Sequence, residues 1–139
     1  MPVRRYQPAD RAAAASLLGR EQGIDDPNSH IFVSADGRGV ALWTKPVGGM
    51  AYLGPVVTVP PNRQLFYGLI RACAADMISE GFERGHFVVK NETLRRLIER
   101  DFTVTAEVYG RDGKTQQPTS WTIEVDLADA VRQLDVRLA

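Results

Sequence analysis

Residues 56–91 hold this chain to a narrow set of folds. Val56 to Val59 reads as an apolar strand that ends at Pro60-Pro61. Asn62 to Glu80 is the strongest helical stretch, and Phe87-Val88-Val89 is a short continuous apolar run. Along the helix, Phe66, Ile70, Cys73 and Met77 fall on one stripe, with Leu65 and Leu69 beside it. Gly81 is a natural stop. An uninterrupted apolar run such as 87–89 suits a buried strand in a parallel pairing. Asn91 then caps a second helix, with Leu94, Leu97 and Ile98 on its buried face. The unit is a strand–helix–strand crossover. Its central helix opens with Arg63, Gln64 and, a turn later, Gly68, where free backbone N–H groups and the helix dipole can meet an anion.

The rest of the chain supplies short strands around that crossover. Val3 to Tyr6 is a strand, and Pro8-Ala9-Asp10 is a turn in which Asp10 can cap a helix that starts at Arg11 and stops near Gly23. His30–Ser34 and Gly39–Lys45 form a hairpin about Ala35-Asp36-Gly37. After a turn at Pro46 to Gly49, Met50–Val59 is a third strand, bulged at Gly54-Pro55 because proline cannot donate to a ladder. Thr103–Tyr109 and Trp121–Leu127 alternate apolar and polar residues on either side of the polar loop Gly110–Ser120, and Asp129–Leu138 forms a terminal helix. The order β-α-β-β-β-α-β-α-β-β predicts one mixed α/β (α+β) domain over residues 1–139, a mostly antiparallel six- to seven-stranded sheet with helices on both faces.

Composition removes several classes of function. Lys plus Arg and Asp plus Glu both number 17, so no net charge draws the chain to nucleic acid or to a membrane surface. One cysteine, Cys73, allows no internal disulfide, and two histidines without a cysteine pair make no structural zinc site. No apolar stretch approaches the ~18 residues of a membrane span, and Met1 to Tyr6 has no apolar signal core. These features lead to the expectation of a reduced, cytoplasmic setting.

The element order and two local motifs resemble the GNAT superfamily of acyl-CoA N-acyltransferases, over nearly the whole chain from Val3 to about Leu127. In that family the loop opening the central helix reads Gln/Arg-x-x-Gly-x-Gly/Ala and binds a pyrophosphate through backbone N–H groups. Here it reads Arg63-Gln64-Leu65-Phe66-Tyr67-Gly68, with Arg63 and Gly68 matching and Phe66 in place of the middle glycine. The family's second motif, Asn followed by a helix ending Leu-Tyr-Glu-x-x-Gly-Phe, corresponds to Asn91 and Leu97-Ile98-Glu99-Arg100-Asp101-Phe102. Ile98 stands where the family's tyrosine protonates the departing thiolate, and Asp101 replaces the glycine. The resemblance implies acetyl-CoA as co-substrate. Val57 and Val59 would offer backbone groups to the pantetheine arm, and Arg63, Gln64, Gly68 and Asn91 would meet the remainder of the cofactor.

Each candidate also has a plainer reading. Arg63 can be a solvated first-turn arginine, Gly68 a tolerated helix glycine, Asn91 a helix cap and Val57 and Val59 strand core. Phe66 shares a stripe with Ile70 and Cys73, which points it to the core and leaves the loop's N–H groups free. Removing a proton from an acceptor amine calls for a carboxylate or histidine. Glu21, with Asp25 and Asp26, lies where the family builds its acceptor site, and Tyr52 can line that pocket. Tyr109 is the substitute acid if Ile98 marks a loss. His30 and His86 read as structural, and Arg95, Arg96 and Arg100 as a solvated face. Two functions follow from the resemblance: N-acetyl transfer from acetyl-CoA to an amine of a small molecule or peptide, or a non-catalytic domain that binds a ligand or protein. Nucleic acid and membranes are not expected partners. A homodimer through the last strands or residues 129–138 is open.

Overall fold

A computed structural model describes residues 2–19, 23–45 and 49–139. Seven strands form one sheet: β1 (Val3–Arg5), β2 (Ser29–Ser34), β3 (Gly39–Thr44), β4 (Ala51–Thr58), β5 (Arg84–Val89), β6 (Val104–Arg111) and β7 (Pro118–Asp126). Their spatial order is β1-β2-β3-β4-β5-β7-β6, with every pair antiparallel except β4 and β5. The helices are α1 (Arg11–Leu18), α2 (Arg63–Ser79), α3 (Glu92–Asp101) and α4 (Leu127–Leu138). This is the mixed, mostly antiparallel sheet expected from the element order.

Side-chain alternation divides the strands between two cores. Ile31, Val33, Val40 and Leu42 meet Ala14 of α1 and Ile24 on one face. Phe32, Ala41, Trp43 and Ala51 point the other way and meet Leu65, Leu69, Cys73 and Met77 of α2. On that same face, Val89, Trp121, Ile123 and Val125 carry α3 through Ile98. Helix α1 covers only the β2–β4 part of its face. Val88 of β5 and Val108 of β6, both opposite Thr122, are more than half exposed on the uncovered part.

Local chemistry moves several boundaries. Asp10 does not cap α1. Its carboxylate accepts from the Gln7 N–H at 2.8 Å and from Arg4, which fixes a 3-10 turn at Pro8–Asp10 that runs into α1. Helix α1 ends at Gly19, in the left-handed conformation at φ +69°, rather than near Gly23. Strands β6 and β7 extend into the expected loop, and α4 begins directly at Leu127. The buried stripe of α2 is Leu65, Leu69, Cys73 and Met77, while Phe66 and Ile70 are only half-buried. Trp43 and Trp121 are both buried, so neither is an exposed anchor.

One carboxylate ties the sheet to α2. Asp76 is 7% exposed among apolar neighbours. Its oxygens accept from Trp43 Nε1 of β3 at 2.9 Å and Arg5 of β1 at 2.5 Å, and His30 Nδ1 of β2 lies 3.2 Å away. His30 stacks on Trp43 with ring centroids 4.2 Å apart. Burial pushes the Asp76 carboxyl up, but the hydrogen bonds from Arg5 and Trp43 and the charges of Arg5 and His30 outweigh it. Its net shift is below the usual carboxylate value.

A group whose folded pKa is depressed contributes stability above its unfolded pKa, about 4. That stability is lost as the pH falls through the lower folded value. Asp76→Asn is expected to flatten this acid limb. Asp76→Ala, which leaves the buried Trp43 N–H without an acceptor, is expected to cost about 3 kcal/mol at pH 7. Urea unfolding at pH 7 and at pH 3 checks both: equal losses at the two pH values would remove Asp76 from this role.

Candidate active site

The site begins where two parallel strands part. β4 and β5 pair only at Ala51 with Gly85, Tyr52 with His86 and Leu53 with Phe87. Beyond Leu53, β4 shifts register against β3 opposite Ala41–Trp43, at Gly54-Pro55. Gly54 allows this close approach, since a Cβ there would come within 2.8 Å of Leu42 Cδ1. Pro55 has no N–H to offer β5. β4 therefore bends toward β3 and leaves a wedge-shaped gap along its far half.

Backbone direction decides which groups face that gap. The Val59 N–H donates to Arg38 O at 2.8 Å, and Val57 is registered with Val40 in the same ladder. Both valines therefore turn their peptide groups to β3, and alternation gives the gap to Val56 and Thr58. Val57 and Val59, expected as backbone partners, are thus turned to β3, and Val56 and Thr58 face the gap. Val57's side chain packs against the α1 core, and that of Val59 is exposed.

Helix α2 starts beside the gap. Asn62 caps it by accepting from the Leu65 N–H at 3.0 Å, and its own N–H donates to Thr58 Oγ1 at 3.0 Å. The N–H groups of Arg63 and Gln64 are left without an acceptor among the described residues. Arg63 borders a hollow of about 390 Å³ formed with Thr58, Pro61, Asn62, Phe66, Tyr67 and Leu97, and Gln64 follows it in the same turn. The Arg63 side chain is exposed there, and Gln64 turns its amide to Arg137 O at 3.3 Å on α4. Phe66 is not a core residue. It stands at the junction of this hollow with a second, apolar cavity of about 180 Å³ that runs under α2 and α3.

The opposite face of the parted strands carries a polar cluster. His86 Nε2 lies 2.7 Å from Glu124 Oε2, and Nδ1 lies 3.3 Å from Ala51 O. The Tyr52 ring is 5.4 Å from the His86 ring. Glu124 also accepts from Thr105 Oγ1 at 2.7 Å and Arg84 at 3.0 Å. These bonds, that of Thr105 foremost, outweigh partial burial and hold its carboxyl down at about 2. Glu124 is therefore a fixed negative charge beside the imidazole at neutral pH. The pair joins residues far apart in sequence through the β5–β7 register, which matches His86 with Glu124. That long-range register left no signal in the local pattern, so His86 read as a lone structural histidine.

Other expected site residues lie elsewhere. Tyr109 is on edge strand β6, on the α3 side, where Arg95 reaches its hydroxyl at 3.4 Å and its ring at 5.6 Å. The structure does not bring it to the gap. Arg95 itself pairs with Glu107 at 2.6 Å, so the expected solvated arginine face is partly folded onto the sheet. Gly68 faces β1, where an added Cβ would meet only Val3 at 3.6 Å, an ordinary contact. Asn91 caps α3 by accepting from the Thr93 and Leu94 N–H groups at 2.8 and 3.2 Å. Glu21 lies outside the described residues. Asp25 pairs with Arg11. Cys73 is fully buried, and burial foremost pushes its thiol far above the ordinary value.

No protein-family model matches this sequence, and no curated protein matches it either. Solved structures do. An N-acyl amino acid synthase from uncultured soil microbes superposes with a TM-score of 0.71 at 10% identity, over 95% of each chain. The ribosomal-protein-S18-alanine N-acetyltransferase of Escherichia coli gives 0.67 at 13% identity, over 91% of this chain and 93% of that one. A Salmonella typhimurium protein solved with its cofactor acetyl-CoA gives 0.66 at 17% identity, over 91% and 94%. The fold is that of the GNAT acyl-CoA N-acyltransferases. The GNAT likeness is one of structure, at identities far too low to carry a substrate across.

Gly68→Ala is expected to stabilise the GNAT-like core by about 0.5–1 kcal/mol, because the methyl fits and a flexible helix residue is removed. Chemical denaturation checks this. A loss of stability, or a loss of affinity for a phosphate-bearing ligand, would put Gly68 back in the site.

Proposed function

We propose that this chain is an N-acyltransferase that moves an acyl group from an acyl-CoA thioester to an amine. The observation that carries the reading is the parting of β4 and β5 at Gly54-Pro55. It leaves strand groups unpaired in the middle of a sheet, with free helix N–H groups and an arginine on one side and a histidine–carboxylate pair on the other. A β-sheet interior otherwise pairs its backbone groups, so the gap suits an elongated ligand that completes the ladder.

The residues present fit a coenzyme A thioester in a reduced form of the family's manner. The Arg63 and Gln64 N–H groups and the Arg63 guanidinium suit one phosphate at the helix start. Asn62 already serves the Leu65 N–H, so the cradle is smaller than a glycine loop would give. Val56 and Thr58 offer strand groups to an amide-bearing arm. The thioester supplies an activated carbonyl: the amine nitrogen bonds to that carbon, the C–S bond breaks, and the sulfur leaves as a thiolate that takes up a proton. The Val56 N–H faces the gap and is the donor best directed to a developing oxyanion. Proton removal from the amine is the role proposed for His86, with Tyr52 beside it and Glu124 on Nε2; to accept that proton the ring turns Nδ1 away from Ala51 O. The thiolate's proton source is not Ile98, which has none.

The solved relatives act on the alanine of a ribosomal protein and, by name, on amino acids, so an amine of a small molecule or a protein is the corresponding proposal here. The second reading, binding without turnover, is favoured by Ile98 at the acid position and by the Asn62 cap in the phosphate cradle.

Thermal unfolding with and without 1 mM coenzyme A and acetyl-CoA separates these. Ligand at ~100 times its Kd adds about 2.7 kcal/mol, a shift of several degrees. Arg63→Ala is expected to weaken binding about tenfold through the lost phosphate contact. With an acceptor in hand, His86→Gln is expected to lower kcat by about 100-fold or more with little change in KM. Binding with no transfer to any of a panel of amines would establish the second reading instead.

A further inference from the structure

The cavity beneath α2 and α3 is too apolar and too deep for what the proposed reaction strictly needs. Its walls are Phe66, Ile70 and Ala74 of α2 and Leu94, Leu97 and Ile98 of α3, over a floor from β4 and β5. It opens into the gap at Leu53, Gly54 and Val56, and runs the length of α2 to Gly85 and Leu127. The acetyl methyl would occupy only its mouth. The volume, about 180 Å³, exceeds the ~150 Å³ at which a dry apolar cavity takes a benzene molecule, so it holds a chain of about six carbons.

Polarity decides the kind of occupant. Two acidic or basic residues border this cavity, and both are engaged elsewhere; the Tyr67 hydroxyl is the other side-chain polar group on its lining. Asp101 is held by Arg137 at 2.5 Å and Arg100 at 3.0 Å, and His86 faces Glu124 and Ala51 O. The buried side-chain atoms without partners among the described residues are Ser29 Oγ, Trp121 Nε1 and Arg137 Nε, and none of the three residues lines the cavity. The Cys73 thiol on its wall is buried. Val56 offers its strand groups only at the mouth, so a pantetheine arm drawn past it toward Ala74 and Leu127 would bury amides against apolar side chains, at high cost. A hydrocarbon chain would lose nothing and gain its burial.

The geometry points to an acyl donor with a medium-length aliphatic chain: the slot between α2 and α3 holds the hydrocarbon tail of an acyl-CoA of about six carbons, which enters beside Gly54 and Val56. This rests on the acyl-CoA reading above and narrows its donor.

Calorimetric titration of the full chain with acetyl-, butyryl-, hexanoyl- and octanoyl-CoA tests it. Each methylene that enters the slot is expected to tighten binding about fourfold. The gain from acetyl to hexanoyl is then on the order of 100-fold, levelling off beyond. Ala74→Met, and independently Ile70→Phe, fill the slot from α2. Each is expected to cut the hexanoyl-to-acetyl affinity ratio about tenfold or more, and agreement between them guards against one misfolded variant. Equal affinity for all four thioesters would overturn this inference and leave the transferase reading standing. Binding of none of them, nor of coenzyme A, would overturn both.

Discussion

The position of the gap depends on a carboxylate that touches no ligand. Asp76 lies late in α2, and its partners come from three consecutive strands: Arg5 of β1, His30 of β2 and Trp43 of β3. A buried ionised group is costly unless it is paired and hydrogen-bonded. The favourable arrangement is the one in which α2 lies at a fixed height across those strands. That height sets where α2 begins. Its first turn, with the free Arg63 and Gln64 N–H groups, is then delivered beside the far half of β4, where the strand has already left β5. Apolar packing of Leu65, Leu69 and Met77 supplies most of the attraction, but it tolerates sliding; a charge with three directed partners does not.

The same division between packing and direction explains the gap itself. β4 and β5 are apolar enough to stay paired throughout. They part because Gly54 lets the strand press against Leu42 and Pro55 withholds a donor. A local backbone irregularity thus opens a passage between the two faces of the sheet. One face meets the helix start and the apolar slot, the other the His86–Glu124 pair. The two chemical roles of a transferase, holding a donor and deprotonating an acceptor, can be placed on opposite sides of a single interruption.

Much of this architecture was legible in the residues. The strand–helix–strand crossover at 56–91, the bulge at Gly54-Pro55 and the cap at Asn91 follow from periodicity and from the conformational limits of glycine, proline and asparagine, and the fold class follows from their order. The site was legible only in part. The free N–H groups of Arg63 and Gln64 were legible because helix starts have free donors wherever they occur. Val57 and Val59 were one residue out of phase, since a strand's alternation is readable but which set faces the partner depends on register. The His86–Glu124 pair was invisible, because only the β5–β7 ladder brings the two together. Tyr109 was placed by proximity in sequence to α3, and the ladder put it on an outer edge beside Arg95.

Phe66 shows how a departure from a motif can be a change of use rather than a loss. Helical spacing put it with Ile70 and Cys73, and the stripe was real, but the face it marks borders a cavity rather than a filled core. α2 has two adjacent apolar sides: Leu65, Leu69 and Cys73 against the sheet, and Phe66, Ile70 and Ala74 toward α3. A glycine at 66 would widen the phosphate cradle and leave the slot open to water at its mouth. A phenylalanine narrows the cradle and closes the slot with an apolar ring. The substitution therefore trades anion contact for apolar contact on the wall that the two hollows share. The half-buried state of Phe66, in contact with both hollows, is what that trade requires.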